Sequence, residues 1–156
     1  MTSISKKIYF ASDQHFGAPT PELSFPREQK FVAWLDEVKK DAEAIFLLGD
    51  LFDFWFEYKK VVPKGFVRVL GKLAEIRDSG IPIYFFVGNH DLWMNDYFEK
   101  ELNIPVFHEN QEYTFHGKTF LVGHGDGKGP GDLGYKRMKK VFTNPFSKWL
   151  FRWLHP

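Results

Sequence analysis

Apolar residues cluster along this chain in short runs that end on polar groups. Residues 83–87, Ile-Tyr-Phe-Phe-Val, are followed at once by Gly88, Asn89, His90 and Asp91. An apolar run of that length bounded by glycine predicts a buried strand. Residues 7–12 end in the same way at Asp13-Gln14-His15, and residues 44–48 at Gly49-Asp50-Leu51-Phe52-Asp53. Between the runs the period becomes helical. Phe31, Trp34, Leu35 and Val38 predict a helix over 27–40 with Pro26 in its first turn. Phe66, Val67, Leu70, Leu73 and Ile76 predict another over 63–79, closed by Gly80. A short helix is expected over 92–102 and a strand near Val106. Residues 111–115 and 118–122 alternate apolar with polar across His116-Gly117, which predicts a hairpin running into Gly123-His124-Gly125-Asp126. Two further helices are expected over 132–142 and 145–154.

Strand–helix–strand–helix–strand predicts an α/β fold whose first three strands are parallel with right-handed connections. The carboxyl ends of such strands lie along one sheet edge, where ligands bind in open α/β folds. That edge collects Asp13 and His15, Asp50 and Asp53, and Asn89, His90 and Asp91, and the hairpin adds His124. Taken alone, residues 88–91 are also satisfied by an Asx turn with an incidental histidine. Recurrence of the pattern at four strand ends favours a site.

The 156 residues suit one domain, 1–156, with a single core. Hydrophobic residues make up 44% and aromatics 19%, which excludes a disordered chain and leaves an aromatic excess that a ligand or a membrane would use. There is no cysteine, so disulfides and thiolate metal sites are excluded and His, Asp and Asn are the available ligands. The first residues lack an apolar signal-peptide core and no run reaches membrane-spanning length, so a cytoplasmic chain is expected. The net charge of +1 is unevenly placed. Residues 128–156 carry seven Lys and Arg against Asp132, a net +6, leaving −5 for the remainder. The tail therefore reads as a basic, aromatic helical lid segment with an acidic partner, whether phosphate, anionic lipid or nucleic acid, or else as a solvated helix face.

Carboxylates, imidazoles and an amide oxygen without thiolate suit Mn²⁺, Zn²⁺ or Fe²⁺ better than Ca²⁺. One ion cannot use them all. Two ions about 3.5–4 Å apart can, when one carboxylate bridges them, and such a pair clamps both oxygens of a phosphoryl displacement.

The ordered blocks Asp13-Gln14-His15, Gly49-Asp50-Leu51-Phe52-Asp53, Gly88-Asn89-His90-Asp91 and Gly123-His124-Gly125-Asp126 resemble those of the calcineurin-like metallophosphoesterases. The resemblance implies a metallophosphoesterase-like α/β sandwich of mixed sheets flanked by helices, and two divalent metal ions with Mn²⁺ the first choice. It implies that Asp13 and His15 bind the first ion, that Asp50 bridges, and that Asn89 and His124 bind the second. His90 would lie beside the scissile phosphate, oriented by Asp91. Asp53 and Asp126 would steady ligands or tether backbone rather than bind metal.

Within that superfamily the chain looks closest to the UDP-2,3-diacylglucosamine hydrolase family, peripheral-membrane pyrophosphatases of lipid A biosynthesis. The residues carrying this are Gly49-Asp-Leu-Phe-Asp-Phe-Trp55, His124-Gly-Asp-Gly and Asp132-Leu-Gly-Tyr135. Asn89, His90, Asp132 and Tyr135 are the implied substrate contacts. The implied reaction cleaves UDP-2,3-diacylglucosamine to UMP and 2,3-diacylglucosamine 1-phosphate. The implied partners are a lipid-linked nucleotide and the cytoplasmic face of the inner membrane, with no nucleic acid expected.

Two departures stand out. Many members of that family carry Arg where this chain has His90, and the family's last block, Gly-His-x-His, lies beyond Pro156. The expectation is therefore an N-terminal portion without its C-terminal strands, with incompletely filled metal sites and an exposed sheet edge through which chains could associate. The competing readings are a nuclease or nucleotide phosphodiesterase of the same fold, and a scaffold that has lost the chemistry. The aromatic tail, with Phe142, Phe146, Trp149, Leu150, Phe151 and Trp153, suits acyl chains and an anionic surface, or else a core helix packed on segments absent here. His108, His116 and His155 read as surface or turn residues.

Overall fold

A computed structural model of the protein describes residues 6–58, 60–125 and 144–154. The order of elements is β1 (Lys7–Ala11), α1 (Pro21–Val38), β2 (Ala42–Leu47), α2 (Val67–Asp78), β3 (Ile83–Phe86), α3 (Tyr97–Leu102), β4 (Val106–Phe107), β5 (Gln111–Phe115), β6 (Lys118–Val122) and α4 (Pro145–Leu154). Strands β1-β2-β3-β4 form a four-stranded sheet in that spatial order, every pair parallel, and β5-β6 form a separate antiparallel pair. Expected helix 132–142, with Asp132 and Tyr135, lies outside the described residues, as do Asp126 and His155.

Adding each parallel strand on the same side of the last, with crossovers of one hand, puts the connecting helices on one face of the sheet. On that face Ile45, Leu47, Ile83 and Phe85 pack with Phe31 and Leu35 of α1, Leu73 and Ile76 of α2, and Phe98 of α3. The hairpin covers the other face, where Ala44, Phe46 and Phe86 meet Val122, Tyr113 and Phe115. Strand β2 is thus covered on both sides, which is why residues 44–48 read as a continuous apolar run rather than an alternation. Each large apolar side chain fully buried in these layers contributes about 1.5–3 kcal/mol.

Both strand-ending runs and the hairpin form where expected. His116 and Gly117 adopt φ 50 and 75, the mirror-image turn conformation that lets a two-residue loop follow the strand twist. The helix starts differ from expectation. Helix α1 begins at Pro21, not at 27, because the Thr20 hydroxyl accepts from Leu23 N and Pro21 occupies the first turn; Pro26 lies inside the helix, where its missing N–H forfeits one hydrogen bond. Helix α2 begins at Val67 after Phe66, whose left-handed backbone breaks the helical path that periodicity had suggested from 63.

The third helix also starts late, at Tyr97, and the reason is Glu57. Its buried carboxylate accepts from Trp55 Nε1 at 3.0 Å and from the backbone N–H groups of Asp96 and Tyr97 at 2.8 and 3.1 Å. A carboxylate at the free N–H groups of a helix start is favourable, so Glu57 decides where α3 begins and anchors the segment after Asp53. Glu57→Ala leaves three donors without their acceptor and is expected to cost about 1–3 kcal/mol or more of stability, read from urea denaturation. An unchanged midpoint would assign the anchoring elsewhere.

Candidate metal centre

The loops leaving β1, β2 and β3 are laced together by backbone hydrogen bonds. Asp13 N donates to Gly49 O at 3.1 Å, His15 N to Asp50 O at 2.9 Å and Phe16 N to Leu51 O at 2.9 Å. Asp13, His15 and Asp50 hold left-handed backbone, with φ 56, 45 and 53. Non-glycine residues adopt it at a cost of about 1–2 kcal/mol each, and here three of them turn their side chains toward one spot.

Donor atoms of Asp13, His15 and Asp50 lie within 4.8 Å of one another. His15 Nε2 is 3.9 Å from Asp13 Oδ1 and 3.7 Å from Asp50 Oδ2. On the other side of Asp50, His124 Nε2 lies 3.5 Å from the same Oδ2 and 3.3 Å from Asn89 Oδ1. One carboxylate oxygen therefore stands between two imidazoles, while the other, Oδ1, accepts from His90 N at 2.9 Å. Asp50 is buried.

The ring of His124 tests whether this set suits a cation. Its Nδ1 is 2.6 Å from the Leu48 carbonyl, which can only accept, so Nδ1 carries a proton and in the neutral ring Nε2 presents a lone pair. That lone pair faces the oxygens of Asp50 and Asn89. Three electron-pair donors converge with no hydrogen between them, an arrangement a divalent cation satisfies, and the carbonyl behind the ring is the usual device for fixing a ligating histidine. The residues fit two ions: Asp13, His15 and Asp50 for one, Asp50, Asn89 and His124 for the other.

The expected pairing of His90 with Asp91 is not formed. The Asp91 carboxylate turns inward and accepts from Gly88 N at 2.6 Å and Leu51 N at 3.1 Å. Burial pushes this carboxyl up to about 6, the Gly88 and Leu51 amides pull it back, and the charge on Asp50 adds to the rise. Asp91 tethers the loops after β2 and β3. His90 is instead held by Asp53, whose carbonyl lies 2.8 Å from Nδ1 and whose Oδ1 lies 3.5 Å from it. Asp53 Oδ1 is also 3.7 Å from His15 Nδ1, and the two imidazoles meet edge-on at 4.6 Å. Asp53 thus meets two histidines, and donor atoms of His15, Asp53 and His90 also lie within 4.8 Å of one another. Two of the three expected surface histidines are so: His108 is exposed, and His116 sits in the hairpin turn with its ring 3.4 Å from Glu43.

Two glycines make the convergence possible. A Cβ on Gly88 would fall 2.1 Å from Asp50 Oδ1, and one on Gly49 would fall 2.6 Å from Gly88 N and 2.7 Å from His124 Nδ1. Sequence reading missed Arg27 and Glu57, both of which hold these loops from outside them. Neither lies in a strand-end block, and in a helical or loop stretch a charged residue looks solvated.

Comparison with known proteins gives the family and the fold. A sequence model of the calcineurin-like phosphoesterase family matches residues 6–155. A UDP-2,3-diacylglucosamine hydrolase from Porphyromonas gingivalis is 42% identical over 151 residues, covering 96% of this chain and 58% of that protein. One from Edwardsiella ictaluri is 32% identical over 143 residues, covering 92% of this chain and 53% of that protein. The chain thus spans between half and three-fifths of the length of these two relatives. A crystal structure of a protein of unknown function from Aquifex aeolicus superposes with a TM-score of 0.55 at 20% identity, over 86% of this chain and 71% of that one, and shares the fold.

Proposed function

Since the chain belongs to the calcineurin-like phosphoesterase family, we propose that it carries metal ligands of a two-metal phosphoester or pyrophosphate hydrolase whose substrate is UDP-2,3-diacylglucosamine. The observation that carries the reading is Asp50 Oδ2, which stands 3.7 Å from His15 Nε2 and 3.5 Å from His124 Nε2, with further oxygen donors on each side. Bound divalent ions, Mn²⁺ by family resemblance, would supply Lewis acidity and lower the pKa of water.

The protein's own groups do the rest. Asp13, His15, Asp50, Asn89 and His124 hold the cations. The Asp53 carbonyl keeps the proton on His90 Nδ1, so His90 exchanges its second proton through Nε2, as a group that protonates a leaving oxygen must. Asp91, bound to backbone on both oxygens, keeps the Gly88 and Leu51 loops in register.

The names of the relatives support UDP-2,3-diacylglucosamine as substrate, and the cleavage proposed for it releases UMP and 2,3-diacylglucosamine 1-phosphate. Two features of this chain agree. Phe54, next to Asp53 in the chain, is 51% exposed and meets Trp93 edge-on at 6.0 Å. Helix α4 exposes Phe146, Trp149 and Trp153, which with the basic residues of 128–156 suits acyl chains and an anionic inner-membrane surface. Among the described residues no helix is long and apolar enough to cross a membrane.

The test is release of UMP from UDP-2,3-diacylglucosamine in Mn²⁺, alongside a generic diester such as bis(p-nitrophenyl) phosphate. Cleavage of the generic diester alone would keep the chemistry and discard the substrate. His90→Ala is expected to lower turnover by about 10²–10⁴-fold with Mn²⁺ content unchanged. Unchanged turnover would remove His90 from the reaction.

A further inference from the structure

Arg27 lies on α1, outside every strand-end block. Its Nη2 donates to the carbonyls of His15 at 2.8 Å and Ala18 at 2.6 Å. The His15 carbonyl also accepts from Ala18 N at 3.1 Å, while its N–H is fixed by the Asp50 carbonyl at 2.9 Å. Both peptide groups flanking His15 are therefore held, and between them the residue keeps φ at 45. One residue away from this clamp, Gly17 N donates to Ser24 Oγ at 2.8 Å, from another side chain of α1 that is fully buried.

We infer that Arg27 is a positioning residue for the first metal site, holding the left-handed backbone that aims the His15 imidazole at Asp13 and Asp50. This rests on the metal-binding reading given above. One observation separates it from a general packing role. Among the metal ligands named above, the Nη2 contact falls on the backbone of His15 alone. Asn89 and His124 hang from other loops, and His124 is fixed by Leu48, so loss of Arg27 leaves the second site's own supports in place. Relaxation of His15 toward ordinary backbone would swing its ring away from the carboxylates.

The site-resolved experiment isolates each ion by removing a ligand of the other. In a His124→Ala background, which retains the Asp13, His15 and Asp50 set, Arg27→Met is expected to weaken Mn²⁺ binding by about 10–100-fold, the usual effect of losing a group that orients a ligand. In a His15→Ala background, which retains Asp50, Asn89 and His124, the same change should leave Mn²⁺ affinity within about twofold. Calorimetric titration with MnCl₂ reads both, and thermal melts of the metal-free proteins confirm folding. Arg27→Lys, which keeps a cation able to reach a carbonyl, should recover part of the affinity in the first background. Equal weakening in both backgrounds would make Arg27 a general structural residue, and no weakening in either would overturn the inference while leaving the metal reading intact. Should the parent chain take up no Mn²⁺ at all, the metal reading falls and this inference with it.

Discussion

Asp50→Ala is expected to abolish both metal loading and hydrolysis. The carboxylate lies within reach of both imidazoles that face it, 3.7 Å from His15 Nε2 and 3.5 Å from His124 Nε2. Its removal takes a ligand from each ion at once and deletes the negative charge that makes two neighbouring dications tolerable. Losing an outer partner of a ligand costs about 10–100-fold in metal affinity, and losing a ligand shared by two sites costs more. Asp50→Asn separates charge from shape, since its side-chain oxygen can still accept from His90 N. It should fold as the parent does yet bind Mn²⁺ weakly. Elemental analysis after gel filtration, with UMP release measured on the same samples, reads both effects. Two ions per chain in the alanine variant would show that Asp50 is not the bridge.

Gly88→Ala should come close to the same loss without touching a ligand. Its added methyl would sit 2.1 Å from Asp50 Oδ1 and 2.6 Å from Asp50 N. Because backbone as well as carboxylate is struck, no rotamer of Asp50 avoids the clash, and the loop after β2 must withdraw from the loop after β3. That movement carries Asp50 away from Asn89 and breaks the hydrogen bond that His90 N makes to it at 2.9 Å. Overpacking of this kind costs about 1–3 kcal/mol of stability, so the protein should remain folded while its metal centre comes apart. Gly71→Ala is the control: it lies on the exposed side of α2 with no atom within 4 Å of its added Cβ, and it should be stabilising by about 0.5–1 kcal/mol with Mn²⁺ uptake unchanged. Normal Mn²⁺ affinity in Gly88→Ala would mean that the two loops are free to part without harm to the site.

The strand ends were legible in the linear chain because local pattern and chemistry coincide there. An apolar run that stops at Gly-Asp or Gly-Asn-His-Asp marks both the end of a strand and the start of a polar site. The hairpin was legible for a similar reason, since His116-Gly117 is a turn whose backbone demands are met by two residues alone. The start of α1 was misread although its signals were present in Thr20 and Pro21, because Pro26 offered a second plausible beginning and periodicity could not choose between them.

The strand ends and the polar residues that follow them thus belonged to the sequence, and orientation did not. Asp91 follows His90 directly, and adjacency suggested a pair, yet successive loop residues face different ways: Asp91 turns inward to two backbone amides, and His90 is met by Asp53 from 37 residues upstream. Which oxygen of Asp50 faces both imidazoles, and which nitrogen of His124 faces Asp50, depend likewise on partners elsewhere in the chain, His90 N and Leu48 O. Arg27 and Glu57 had no local mark at all. These contacts exist because β1, β2 and β3 lie side by side and because Gly49 and Gly88 lack the atoms that would hold their loops apart. Pattern along a chain reports what each residue is next to in sequence. The close approach of strands that are distant in sequence is decided by packing, and only the folded structure carries it.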